Sequence, residues 1–491
     1  MGTAIRSANG LHGEFDVIDA SALAAVARSL AETVGRADVV EDVHALSAVQ
    51  EAMLFHAVGS DADDVYIVQQ RIEIDGLIDP DAFQAAWSLV VSRHPAVRSV
   101  FAWRHDGQPV QVVCRGVDVA VDLVDLQGVV GAERVIDDAF ERDRSNRFDL
   151  AKPPLMRLSL FRLAADSHVL LWSQHHLLQD GWSSSVVLNE VFTAYAAIAA
   201  GETPVLAEVR PFREYITWLE DNDREDARAF WADHLAGFRQ PTRMAAQPAE
   251  DGSYERRFRA LTPELTTALR GFARQHRVSL NTVLVGALGV VLGRYSGRSD
   301  VVFGTVASGR PPTLPGVESM VGMFINTLPL RIHIDPKATV AEWLPSVQAR
   351  QASLFDHEHS SLPDIQAWSE LRPGTSLTDV LFAYWNFGGA GASPGDALTY
   401  RTVDGYGRTS FPFSITVEGA DPINIGVDFD TADVPVALAT RFLEHYANML
   451  EAVVAGPDRT LSSLHMLTGE EQTALAEFND TSAPVPYESV V

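Results

Sequence analysis

The densest chemistry in the chain is the run Gln174-His175-His176-Leu177-Leu178-Gln179-Asp180-Gly181-Trp182. Histidine has an unperturbed pKa close to neutrality, so it suits proton transfer. Adjacent histidines on an extended segment point to opposite sides, so one can face a cavity while the other packs. Asp180 can pair with an arginine and hold the loop. Gly181 permits a tight turn with positive φ. A metal site is disfavoured, because adjacent histidines do not converge on one ion. No H-E-x-x-H motif or cysteine pair accompanies them. A serine nucleophile is not expected either, since Gly181-Trp182-Ser183-Ser184-Ser185 lacks the second glycine of a nucleophile elbow. Cys114 ends the apolar run Val110–Cys114 and reads as a buried hydrophobe. No phosphate-binding loop occurs.

The elements that must position the histidines follow from periodicity. Val65–Ile74 alternates like a strand. Asp79-Pro80 opens a helix, with Asp79 as N-cap and Phe83, Trp87 and Val90 forming its apolar stripe. Leu155–Leu163 alternates, Ala165-Asp166-Ser167 turns the chain, and His168–Gln174 is the partner strand. A helix is predicted from about Trp182 to Ala200, stopping at Gly201. The histidines therefore lie at a strand-to-helix junction, where loops present side chains into clefts.

A second block repeats this logic. Tyr254–Leu261 reads as a strand, and Thr262-Pro263 opens a helix with Leu265, Leu269 and Phe272 on one face. Ser279 caps a very apolar helix through Leu292 that must be buried all round. Val301–Val306 reads as a buried strand, and Thr339 with Glu342 fits a capping box. Strand, cap, proline and helix open both halves, which points to two similar α/β lobes joined around residues 202–250. The first 40 residues, with one helical segment around Ser21–Val34, read as a linker. Thr468 and Glu471 cap a short helix near the end. The turn-rich run Asn479–Pro486 follows, and the chain looks cut from something longer.

The chain has 491 residues, 46% of them apolar and 21% charged, which is a globular balance with a large core. A net charge of −27 argues against nucleic acid and anionic membranes as partners. The single cysteine rules out disulfides within the chain. No apolar stretch is long enough for a membrane span and the N-terminus is not a signal peptide, so a cytoplasmic protein is expected. Among the 38 basic residues only Lys152 and Lys337 are lysine, which fits a GC-rich bacterial genome.

His175-His176-x-x-x-Asp180-Gly181 resembles the HHxxxDG signature of condensation domains from nonribosomal peptide synthetases. Other acyltransferases of the chloramphenicol acetyltransferase superfamily share its HxxxD core. Leu46-Ser47-Ala48-Val49-Gln50-Glu51-Ala52-Met53-Leu54-Phe55-His56 resembles the family's first motif. Arg93-His94-Pro95-Ala96-Val97-Arg98-Ser99-Val100-Phe101 resembles RHxxLRTxF. Tyr215-Ile216-Thr217-Trp218 is similar to its aromatic motif, and Val321-Gly322-Met323-Phe324-Ile325-Asn326-Thr327 to VGxFxNT. Departures include Ala52 for a common glycine, Pro95 for a common glutamate, and Trp385 where glutamate is frequent.

The resemblance implies an α/β (α+β sandwich) architecture of two chloramphenicol-acetyltransferase-like lobes in a V-shaped pseudodimer with a central tunnel. The expected division is a linker over 1–42, an N-terminal lobe over 43–215, a C-terminal lobe over 216–464, and a linker toward an adenylation domain over 465–491. The implied reaction is attack of an acceptor aminoacyl amine on a donor thioester. Both groups would arrive on the 4'-phosphopantetheine of upstream and downstream carrier domains, with no cofactor or metal of the domain's own. An excised domain is expected to be monomeric. His176 is expected to face the tunnel as base or positioning group, and His175 to be structural. Asp180 would pair with Arg98, or else Arg157, and the Gly181 amide would meet the oxyanion. Asn326, Tyr384 and Asn386 are candidate tunnel residues.

The alternatives are distinct in chemistry. A carrier-independent acyl-CoA acyltransferase, forming amide or ester, shares the histidine loop. An epimerization domain shares the signature, but its first motif normally differs from Gln50–His56. A dual condensation/epimerization form carries a second histidine motif near the N-terminus, which is absent. A heterocyclization form replaces the first histidine with aspartate. A non-enzymatic docking domain is disfavoured by the intact His175, His176, Asp180 and Gly181.

Overall fold

The computed structural model describes residues 27–481, apart from 29, 33–34, 37, 60–65, 105–106, 222–223, 245–251, 373, 386–389, 393–397 and 420. The chain divides into two units. The first holds the chain up to Arg224 together with Ser308–Asn326 and Phe387–Ser410. The second holds Glu225–Ala307, Thr327–Asn386 and Phe411 onward.

The main sheet of the first unit has six strands, in the order Val121–Asp125, Met156–Ala164, Ser167–His175, Ile67–Asp75, Thr399–Gly407 and Ala390–Ala392. The first pair is parallel, and the next three pairings are antiparallel. Helices Pro80–Arg93 and Gly181–Ala199 cover one face, where Phe83, Trp87, Trp172, Phe192 and Tyr195 form the core. Helix Ala132–Arg144 covers the other through Ile136, which packs with Phe161, Val169 and Leu171. Strand Ser167–His175 is therefore buried on both faces, which fits the unbroken apolar run Val169-Leu170-Leu171-Trp172 at its centre. Each large side chain buried here contributes about 1.5–3 kcal/mol.

The sheet of the second unit runs Asn326–His333, Asp300–Ala307, Val380–Trp385, Phe413–Glu418, Asn424–Asp430 and Tyr254–Ala260. Helix Leu280–Ser296 is buried at every residue from Thr282 to Gly293. Gly286 allows Leu344 to approach so closely that an added Cβ would lie 2.6 Å from its Cδ2 atom. The caps expected from the sequence are all formed: Asp79, Thr262 and Ser279 accept from the first turns of their helices, and Thr339–Glu342 and Thr468–Glu471 make reciprocal capping boxes.

The two units repeat one wiring plan. In the first, a parallel strand pair leads into the hairpin Met156–Ala164 and Ser167–His175, whose second strand pairs antiparallel with Ile67–Asp75. In the second, Val380–Trp385 lies parallel to Phe413–Glu418, which forms a hairpin with Asn424–Asp430, and that strand pairs antiparallel with Tyr254–Ala260. A proline-capped helix follows the opening strand in both, and a long helix follows the hairpin in both.

Two expectations need correction. The division is not contiguous at 215/216. Strand Thr399–Gly407 belongs to the first unit because it pairs with Ile67–Asp75, and Tyr400 stacks on Phe192 at 4.1 Å. Nor is all of the segment before residue 43 a linker. Residues 27–28 and 30–32 are helical, and Leu30 is buried with Val39, Val100, Val112 and Cys114. They pack on a three-stranded sheet ordered Val40–Ala45, Pro109–Cys114, Ser99–Trp103. Residues 1–26 and 482–491, with part of each expected linker, lie outside the described residues.

Candidate active site

The last residue of strand Ser167–His175 still belongs to the ladder: the His175 amide donates to the Leu155 carbonyl at 3.0 Å. The His176 amide then donates to Tyr66 O at 2.8 Å. The chain turns at once, with Leu178 N donating to His175 O at 3.0 Å. The two imidazoles meet different surroundings: Nδ1 of His175 meets the Leu177 amide, and Nδ1 of His176 the Gln179 carbonyl.

His175 is buried. Its Nδ1 accepts the Leu177 amide at 3.2 Å, and its ring meets the Phe148 ring edge-on, with centroids 6.5 Å apart. Burial, helped by the adjacent His176, pushes its pKa down to about 3, so it is a neutral packing group. His176 is half-buried. Its Nδ1 lies 3.0 Å from the Gln179 carbonyl oxygen. A carbonyl only accepts, so Nδ1 carries the proton and Nε2 keeps its lone pair. That Nε2 has no partner among the described residues and is not sealed from solvent. Burial lowers the His176 pKa, opposed by the Gln179 carbonyl and by Asp180. The imidazole is therefore neutral at neutral pH, with a free acceptor on one nitrogen.

Asp180 caps helix Gly181–Ala199 by accepting the Ser183 amide at 2.7 Å. Its other oxygen accepts the Phe324 amide at 3.1 Å. Its charge partner is Arg310, at 3.3 Å, which corrects the expectation of Arg98 or Arg157. Arg98 is spent on Glu41 at 2.8 Å and on the Cys114 carbonyl, at the small sheet. Arg157 pairs with Asp143 at 2.5 Å and lies over the Phe148 ring. Arg310 also donates to Ser183 Oγ (2.8 Å) and to the Val317 and Met320 carbonyls, with its guanidinium 3.9 Å from the Phe324 ring centroid. Ser308–Asn326 thus closes around the histidine turn within one unit.

Gly181 is the first residue of its helix rather than a left-handed turn, which corrects the expected positive φ. Its amide has no intrahelical acceptor and stands at the positive end of the helix dipole. Asn326, which begins strand Asn326–His333, is buried in the same unit. Tyr384 lies in the second unit, where burial raises its pKa. Asn386 lies outside the described residues. Cys114 is buried with its thiol pushed up to about 12, an inert side chain.

Residues that sequence reasoning passed over complete the site. Gln50 donates to the Leu177 carbonyl at 3.0 Å and to Gln111 Oε1 at 2.8 Å. Gln179 donates to Gln174 Oε1 at 2.7 Å. Trp182 donates to Glu318 O at 2.9 Å. The repeated wiring also shows what the second unit lacks. His175 pairs with Ile67 at the start of the opening strand, as Asp430 pairs with Tyr254 in the second unit. The turn beyond Asp430 reads Thr431-Ala432-Asp433-Val434-Pro435 and carries no histidine.

A family model described as Condensation domain matches residues 40–476. The chain belongs to this family. Among curated relatives, a linear gramicidin synthase polypeptide of Brevibacillus parabrevis is 36% identical over 469 residues, covering 94% of this chain and 6% of its own. Bacitracin synthase 3 of Bacillus licheniformis is 33% identical over 456 residues, covering 91% and 7%. The condensation domain thus spans under a tenth of either relative. Among solved structures, the first condensation domain of the calcium-dependent antibiotic synthetase, in complex with a substrate analogue, is similar with a TM-score of 0.76 at 21% identity, covering 87% of this chain and all of that one. The condensation domain of Monacolin K polyketide synthase MokA gives 0.75 at 18%, covering 86% and all of that chain. These structures show the fold. Condensation domains of nonribosomal peptide synthetases catalyse amide-bond formation, an acyltransferase-type reaction.

Proposed function

We propose that this condensation domain joins two groups held as thioesters on the phosphopantetheine arms of carrier domains. The acceptor α-amine attacks the donor carbonyl, a C–N bond forms, the C–S bond breaks, and the amine proton leaves with the thiolate sulfur. The observation that carries this reading is the neutral His176, locked with Nδ1–H on the Gln179 carbonyl and Nε2 open.

The thioester is already activated, so orientation supplies much of the rate. His176 Nε2 accepts a hydrogen bond from the amine and aims its lone pair at the carbonyl. As the nitrogen becomes cationic on attack, the same Nε2 takes the proton and passes it to sulfur. The lowered pKa favours this: a permanently protonated imidazole could neither accept the bond nor take the proton. The Gly181 amide, at a helix N-terminus, faces the developing oxyanion. Asp180 and Arg310 act by fixing the turn. Upstream and downstream carrier domains, a following adenylation domain and a cytoplasmic setting complete the proposal, supported by the synthase relatives.

The test is reconstitution with separately loaded donor and acceptor carriers, followed by mass spectrometry of the carrier-bound products. An amide-linked product on the acceptor arm supports the reading. Turnover of soluble acyl-CoA without any carrier would overturn it in favour of a stand-alone acyltransferase, and racemisation of a lone aminoacyl arm would overturn it in favour of epimerization.

A further inference from the structure

The acceptor that fixes the His176 proton is a main-chain carbonyl, so something must fix that carbonyl. Gln179, which supplies it, has a fully buried side chain. Its Nε2 donates to Gln174 Oε1 at 2.7 Å and to Ser184 Oγ at 3.3 Å. Gln174 in turn donates to Ser184 Oγ at 3.0 Å. Gln174 sits at the end of the strand that leads to the histidines, and Ser184 lies in the first turn of the following helix. Ser184 Oγ also bonds to the Asp180 carbonyl at 3.1 Å. These three buried side chains therefore tie the loop to the two rigid elements that flank it. Nothing about them touches the open Nε2 of His176.

We infer that Gln179 and Gln174 are positioning residues for the amide-forming step. Through the Gln179 carbonyl they hold His176 as the Nδ1–H tautomer with Nε2 directed at the acceptor amine. This inference rests on the proposed role of His176.

The chemistry explains why carboxamides serve here. Each glutamine is neutral at all working pH values, so the clamp adds no charge beside an imidazole whose basicity matters. A carboxylate in the same place would raise the imidazole pKa, and a methylene chain would release the carbonyl to rotate. A freed Gln179 carbonyl lets Nδ1 lose its partner, and the imidazole then exchanges between tautomers. In the other tautomer Nε2 carries the proton and cannot accept from the amine.

The experiment uses Gln179→Met, which keeps the side-chain length and removes the hydrogen bonds. Amide formation is measured with loaded carriers across pH, and the tautomer of His176 is read by two-bond 15N–1H NMR of 15N-histidine protein, with His176→Ala giving the assignment. The inference expects a fall in kcat of about tenfold with KM for the acceptor carrier little changed. It also expects a mixed Nδ1–H and Nε2–H signature where the wild type shows Nδ1–H alone. Unchanged kcat with a single Nδ1–H signature overturns it. Should Gln179→Met fail to fold, Gln174→Met removes the acceptor of the same bond and carries the same two readouts. Full activity of His176→Ala overturns the role of His176, whereas the tautomer spectrum of the glutamine variants still decides whether the clamp sets the proton.

Discussion

Asp180 and Arg310 stand 130 residues apart in the chain and meet as an ion pair 3.3 Å long, with 0% and 3% of their side chains exposed. The pair joins the turn that carries His176 to the segment Ser308–Asn326. Neither partner has water to fall back on, so each depends on the other and on its main-chain bonds.

Removing one partner leaves a buried charge. Asp180→Ala is expected to cost about 3–5 kcal/mol of stability, and Arg310→Ala a similar amount. The double variant should cost less than the sum of the two. Urea unfolding midpoints measure this, and a wild-type midpoint for Asp180→Ala would show that the pair holds nothing together.

Gly309 precedes Arg310 with φ of +63°, and an added Cβ would lie 1.8 Å from the Phe324 carbonyl oxygen. Main chain cannot yield as a side-chain tip can. Gly309→Ala should therefore lose at least about 2 kcal/mol and shift the fluorescence of Trp182, whose ring lies 5.3 Å from the Arg310 guanidinium carbon. Unaltered stability and emission would mean that the segment closes around the turn more loosely than its contacts indicate.

His175 predicts an acid limb. Its pKa falls from 6.5 to about 3 on folding. Below pH 6.5 the unfolded chain takes up a proton that the native one refuses, so stability falls as pH drops toward 3, by at most about 1.4 kcal/mol per unit from this group. His175→Gln lacks that contribution, so its stability should be less acid-sensitive than that of the wild type over this window. His176 titrates in both proteins and cancels in the difference. Parallel stability curves would contradict the buried neutral assignment.

Much of this is legible in the residues. Strands and helices around the histidines fall within a few residues of their expected bounds, because alternation and proline caps are local signals. The split of His175 and His176 into packed and open side chains is the one expected of adjacent residues on an extended segment, although the strand itself ends at His175 and His176 opens the turn. Arg310 is not legible: it lies in an irregular segment, and no periodicity links it to Asp180. Arg98 is the nearer candidate because it sits in a family motif, yet its guanidinium reaches Glu41 instead. Gln174 precedes the motif and Gln179 lies within it, in plain view, but polar residues at a loop read as surface until burial shows otherwise. Leu30 reads as linker because its partners Val100, Val112 and Cys114 come from strands much later in the chain.

The central claim is that His176 Nε2 serves amide formation while the fold stands without it. The most direct measurement is single-turnover amide formation between loaded donor and acceptor carriers, comparing wild type with His176→Ala at equal thermal stability. The account predicts a loss of about 10²–10⁴-fold in the rate, with the melting temperature unchanged. A variant that forms the amide at the wild-type rate would contradict it.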